Sequence, residues 1–136
     1  MDTLTTLSAR HGVELNEHLT ADAEVPVLTG IQRQGDVIVV PTRAGADEGL
    51  PVPPEGIAVV RGENGGNTHL LVADGAVTWR AVTAQRGQLA LGVVTVPEGS
   101  TAYLAHPEHG FMGIAPGTYR VSRQREQADE IRVVAD

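Results

Sequence analysis

The chain has 136 residues, a formal charge of −7 and no cysteine, which suits one core and excludes disulfide and thiolate–metal chemistry. All 10 basic residues are arginine and 17 acidic residues outnumber them, which argues against binding nucleic acid by neutralising phosphates. Phe111, Trp79, Tyr103 and Tyr119 are the only aromatic residues, too few for a single-strand stacking platform. No apolar run approaches the ~18 residues of a membrane span. A cytoplasmic protein that binds neither membrane nor nucleic acid is therefore expected.

In chain order, residues 1–24 read as a short helix or arm. Leu4 and Leu7, with Val13 and Leu15 beyond, recur at near-helical spacing, Gly12 interrupts them, and Asp2 or Thr3 is placed to cap the start. Such an arm serves for packing or for contact between subunits. His11 and His18 fall here and read as surface residues.

Residues 25–136 read as one β domain. Val25–Leu28 and Val37–Val40 are short apolar runs, divided by Gly30 and by Gln34-Gly35-Asp36. The Gly- and Pro-rich stretch 44–56 predicts a long loop, and Ile57–Arg61 the next strand. A glycine-rich turn over 62–67 leads into a strand from His69 to Ala73. Asp74-Gly75 predicts a tight hairpin into Val77–Arg80. Runs at 88–96, 101–105, 110–114, 118–124 and 130–134 complete nine or ten short strands. Strand-sized runs at this spacing, without long helices between them, predict an all-β fold: a small barrel or sandwich with a short N-terminal helix or arm.

Candidate chemistry lies in three segments. In Gly62-Glu-Asn-Gly-Gly-Asn-Thr-His69 the glycines permit close backbone approach, alternation puts Asn67 and His69 on one face, and Glu63 lies across the turn. The bland alternative is an ordinary glycine-rich turn. His106-Pro-Glu-His109 supplies two imidazoles and a carboxylate, Glu108, which are ligand types for zinc or non-haem iron; the alternative is a hydrated turn. In the last segment Tyr119, Val121, Arg123 and Arg125 share one face of a strand. Its arginines suit a carboxylate or phosphate, or ion pairs within the protein. No phosphate loop, dinucleotide fingerprint or nucleophile elbow is present in the sequence.

Taken in order, Gln34-Gly-Asp-Val37, Gly62-Glu63…Thr68-His69, His106-Pro-Glu-His109 and Pro116-Gly-Thr-Tyr-Arg-Val…Arg123-Gln-Arg-Glu126 resemble a family of small bacterial and phage-associated β proteins. Its pattern runs Gly-Glu-x-x-Gly-His-x-His, His-x-Glu-His and Arg-Gln-Arg-Glu-Tyr. The histidine pairs are also similar to those of cupin barrels. The resemblance implies a β-barrel in which His69, His106, His109 and Glu63 hold a divalent transition metal, with Asn67, Glu108, Tyr119, Arg123 and Arg125 as binding residues. Two positions depart from it: Asn67 stands for the first His of His-x-His, and Gln127 for the final Tyr.

Two functions follow as expectations. One is a non-enzymatic β-barrel module for homo-oligomeric assembly or partner binding. The other is a cupin-like metalloprotein or metalloenzyme using the His and Glu set.

Overall fold

The computed structural model describes residues 1–16, 19, 22–43, 49–62, 68–82 and 90–123. Glu63, Asn67, Arg125, His18 and the strand expected over 130–134 lie outside the described residues.

The chain opens with α1 (Leu4–His11). Thr3 caps it: its hydroxyl accepts from the Thr6 N–H while the Thr6 side chain reaches back to the Thr3 N–H. Gly12, at φ 66°, ends it in the left-handed conformation.

Eleven strands follow among the described residues: β1 (Val27–Leu28), β2 (Gln32–Gln34), β3 (Val37–Pro41), β4 (Leu50–Pro51), β5 (Ile57–Val60) and β6 (His69–Asp74). After these come β7 (Thr78–Ala81), β8 (Ala90–Val96), β9 (Thr101–His106), β10 (Gly110–Ile114) and β11 (Gly117–Arg123). They form a five-stranded sheet, β1-β10-β9-β6-β5, and a six-stranded sheet, β2-β3-β11-β8-β7-β4. Neither sheet closes on itself among the described residues. Of the two expected architectures, barrel and sandwich, the fold is the sandwich-like one.

The Asp74-Gly75 turn is not a hairpin, contrary to the sequence expectation. It joins β6 of the first sheet to β7 of the second. A hairpin turn and a sheet-to-sheet crossing use the same residue types; what separates them here is packing. A Cβ on Gly75 would sit 2.3 Å from the Ser100 hydroxyl oxygen, whose own partner is the Ala76 N–H. In the stretch expected to be a loop, β4 pairs with β7 through Leu50 and Pro51.

Alternation sorts the side chains of the first sheet into two buried layers. Leu71, Ala102 and Leu104 face the second sheet and meet Val37, Val39, Val94, Tyr119 and Val121 there. Val72, Tyr103, Ala105 and Phe111 face outward and would be an exposed apolar plate, but Leu4 and Leu7 of α1 cover them, with Val25. The helix is tied down by main-chain bonds, Leu4 N–H to Ala23 and Val25 N–H to Asp2. Strand β9 is thus covered on both faces, and five of its six residues are buried.

Two hairpins end at the same edge of the sandwich. The β2–β3 turn at Gly35-Asp36 belongs to one sheet, and the β9–β10 turn at Pro107-Glu108-His109 to the other. Strand β6 begins beside them at His69.

Candidate functional site

Alternation carries His69 and His106 into the site. His69 is two residues from Leu71 and His106 two from Leu104, so both point between the sheets, where they are 3% and 4% exposed. The ring centroids of His69 and His106 lie 4.5 Å apart, those of His106 and His109 4.5 Å, and those of His69 and His109 6.3 Å. The structure thus brings together the three histidines read from the sequence. They line an open pocket of about 580 Å³ with Asp36, Arg123 and Glu108.

Each buried imidazole has a defined donor and acceptor nitrogen. The Gln34 side-chain NH₂ donates to two main-chain carbonyls, Leu104 at 2.8 Å and Gly110 at 3.3 Å. Its amide oxygen therefore faces His69 Nδ1 at 2.9 Å, and that nitrogen must carry a proton. In neutral His69, Nε2 then holds the lone pair. His106 is the reverse case. Its Nδ1 accepts from the Glu108 N–H at 3.1 Å and the His109 N–H at 3.3 Å, so its proton sits on Nε2. The two rings therefore carry their protons on opposite nitrogens.

Asp36 lies between His69 and Arg123: its Oδ1 is 3.5 Å from His69 Nε2, and its Oδ2 accepts from Arg123 Nη2 at 3.3 Å. Burial alone would raise the Asp36 pKa. The Arg123 guanidinium outweighs burial by hydrogen bond and charge, so the carboxyl titrates below its ordinary value. His69 is pushed down to about 4, first by burial and next by the neighbouring His106, with Asp36 pulling the other way. At neutral pH the pair is a neutral imidazole facing an ionised carboxylate.

Gly35 lets this arrangement close. It sits at φ 59°, and a Cβ there would lie 3.1 Å from His109 Nε2 and 3.4 Å from His69 Cε1. Glu108 and His109 are exposed at the mouth.

Tyr119 is not in the site. It is 2% exposed in the core, its hydroxyl donates to the Ala115 carbonyl at 2.8 Å, and it lines none of this pocket. Alternation along β11 put it on the same face as Arg123, but strand length separates them. Among the described residues no three His, Asp or Glu side chains form a metal-holding group, and Glu63 and Asn67 fall outside those residues. His106 in particular has its Nδ1 occupied and its Nε2 protonated, which unsuits it as a ligand. His11, expected at the surface, has a side chain only 6% exposed, with Nε2 3.2 Å from Asp74 Oδ1.

Sequence reasoning missed Asp36 and Gln34 as site residues. The signal was available: Gly35-Asp36 is a hairpin turn, and Gln34 is a polar residue at an inward strand position.

Fold and pocket together define a small β-sandwich domain with a polar, imidazole-lined site at one end. The chain belongs to the family described as a domain of unknown function (DUF8820), whose model matches residues 33–124. That span contains every residue of the pocket and excludes α1. No curated protein and no solved structure matches the chain. No helix among the described residues is long and apolar enough to cross a membrane.

Proposed function

We propose that this protein is a non-enzymatic binding module whose ligand enters the pocket formed by the two hairpin tips. One observation carries this reading: the pocket's polar groups are already fixed in place. Gln34 holds His69, two main-chain amides hold His106, and Arg123 holds Asp36. Such pre-organisation lowers the cost of binding. An acid–base catalyst needs a group that exchanges its proton near the working pH. His69 and Asp36 are both moved away from neutrality, which favours recognition over proton transfer.

Titration with four probes, Zn²⁺, Ni²⁺, acetate and phosphate, tests this, followed by the backbone amide signals of Gly35, Asp36, His69 and Gly110. At least one probe should move these signals saturably before others in the chain. If all four leave them still, the pocket is not a binding site for small ions of either sign.

A second reading, self-association, rests on Leu28 and Ile31, 49% and 68% exposed at the β1 edge. Light scattering after size exclusion tests it. A single monomer mass at every concentration would rule it out.

A further inference from the structure

We infer that the outer face of the second sheet is a docking surface for an acidic, extended segment of a partner protein. This face lies outside the pocket, and the binding reading above does not depend on it.

Charge is divided unevenly between the two sheets. The described strands hold four arginines, Arg33, Arg80, Arg120 and Arg123, and all four lie in the second sheet. Among the described residues, the strands of that sheet contain no aspartate or glutamate. Yet acidic residues outnumber basic ones 17 to 10 in the whole chain.

Register fixes which arginines face outward. Arg120 lies opposite Val40 on one side and Val93 on the other, and Val93 lies opposite Arg80. Residues directly opposite one another share a face. Their chain neighbours Val39, Val94 and Val121 point into the core, so this row points away from it. Arg33 joins the same face opposite Ile38, and Thr118, Thr95 and Thr78 form the next row. Arg33 and Arg120 are exposed, while Ile38 and Val40 are half-buried. Helix α1 covers the other sheet.

Such a face selects its occupant by charge and shape. A guanidinium can grip a carboxylate with two parallel N–H bonds. Arg120 is flanked by Val40 and Val93, so no neighbour across the register supplies that carboxylate. An apolar patch that carries arginine and lacks Asp and Glu also has the composition of an interface centre. Along the row, aliphatic side chain and arginine alternate. An extended peptide lying across the strands offers the complement, acid and aliphatic in turn on one face. Nucleic acid fits less well. The chain's charge of −7 repels a phosphate backbone, and Trp79 and Tyr119, the aromatic residues of this sheet, point into the core.

The probe is a blocked peptide of three Glu-Ser-Val-Ser repeats, with the Gln-Ser-Val-Ser peptide as its uncharged twin. In the full chain, the acidic peptide should move the backbone amides of Val40, Val93 and Arg120 saturably. The uncharged twin should bind about tenfold more weakly, and R120E should weaken the acidic peptide by about tenfold or more. R33E, on the edge strand, repeats the test should R120E fail to fold. The assignment falls if neither peptide moves these amides, if both act alike, or if the charge reversals change nothing. Shifts centred on Gly35 and His69 would place the acid in the pocket and overturn it too. Tighter binding of a single-stranded oligothymidylate to the same amides would replace the acidic protein with a nucleic acid.

Discussion

The molecule uses the same three side-chain types twice, with different results. At the outer face of the first sheet, Asp74 meets Arg10 at 2.7 Å and His11 at 3.2 Å, and Arg10 also grips both oxygens of Asp2 at 2.7 and 3.0 Å. At the end of the sandwich, Asp36 meets Arg123 at 3.3 Å and His69 at 3.5 Å. The first set joins a helix to a strand through short guanidinium–carboxylate hydrogen bonds from Arg10. The second joins the β2–β3 tip, the start of β6 and β11 through longer contacts. Composition alone does not tell a staple from a site. Distance does, together with which nitrogen of the imidazole holds the proton.

Removing the apolar support of the staple should have the largest effect. Leu7 is fully buried under the helix, and Leu7→Ala should cost about 4 kcal/mol in urea unfolding. The pocket amides of Gly35 and His69 should scarcely move. A pocket that collapsed with the helix would mean that the two regions are one cooperative device.

Acidification should come next, and it acts on the other region. His69 has a folded pKa of about 4 against an ordinary 6.5. Below 6.5 the unfolded chain takes up a proton that the folded chain refuses. The full stability is therefore present above that value and drains as pH falls toward 4, by roughly 3 kcal/mol in all. Unfolding midpoints between pH 7.5 and 4.5 measure the loss. The His69 ring proton signal should stay flat down to about pH 5, and titration near 6.5 would contradict its enclosure.

Gly35→Ala should cost about 1 kcal/mol, because the new Cβ meets the left-handed backbone and His109 Nε2 together. Its largest chemical-shift changes should fall on His69 and His109, not on α1. Arg10→Met should cost least, about 0.5 kcal/mol, since its side chain is 42% exposed. A loss several times larger, measured in 0.5 M salt, would show that the staple does more than its exposure suggests.

The strands were legible in the sequence because the apolar runs are short and bounded by turn residues. The helix was legible from Leu4, Leu7 and the Thr3 cap. Which strand lies in which sheet was not. Asp74-Gly75 has hairpin chemistry, yet β6 and β7 part there, because pairing depends on contacts across the chain that no local pattern records. In the site, His69, His106 and His109 were legible as residue types. Asp36 was hidden in a turn, where aspartate needs no functional explanation. Gln34 passed as one more residue of a turn. The protonation of each ring was beyond reach, because its cause lies in the main-chain amides and carbonyls of a folded hairpin. Tyr119 shows the converse: the face was read rightly and the distance along the strand was not.

Helix α1 also bears on what the first sheet shows to water. The family region, 33–124, contains the outward plate of Val72, Tyr103, Ala105 and Phe111 but not the residues that cover it. Cut back to that region, the chain would present a bare adhesive wall to water, and copies would gather on it. Leu4, Leu7 and Val25 thus keep that plate from water, and tampering with them should show first as clumping during expression.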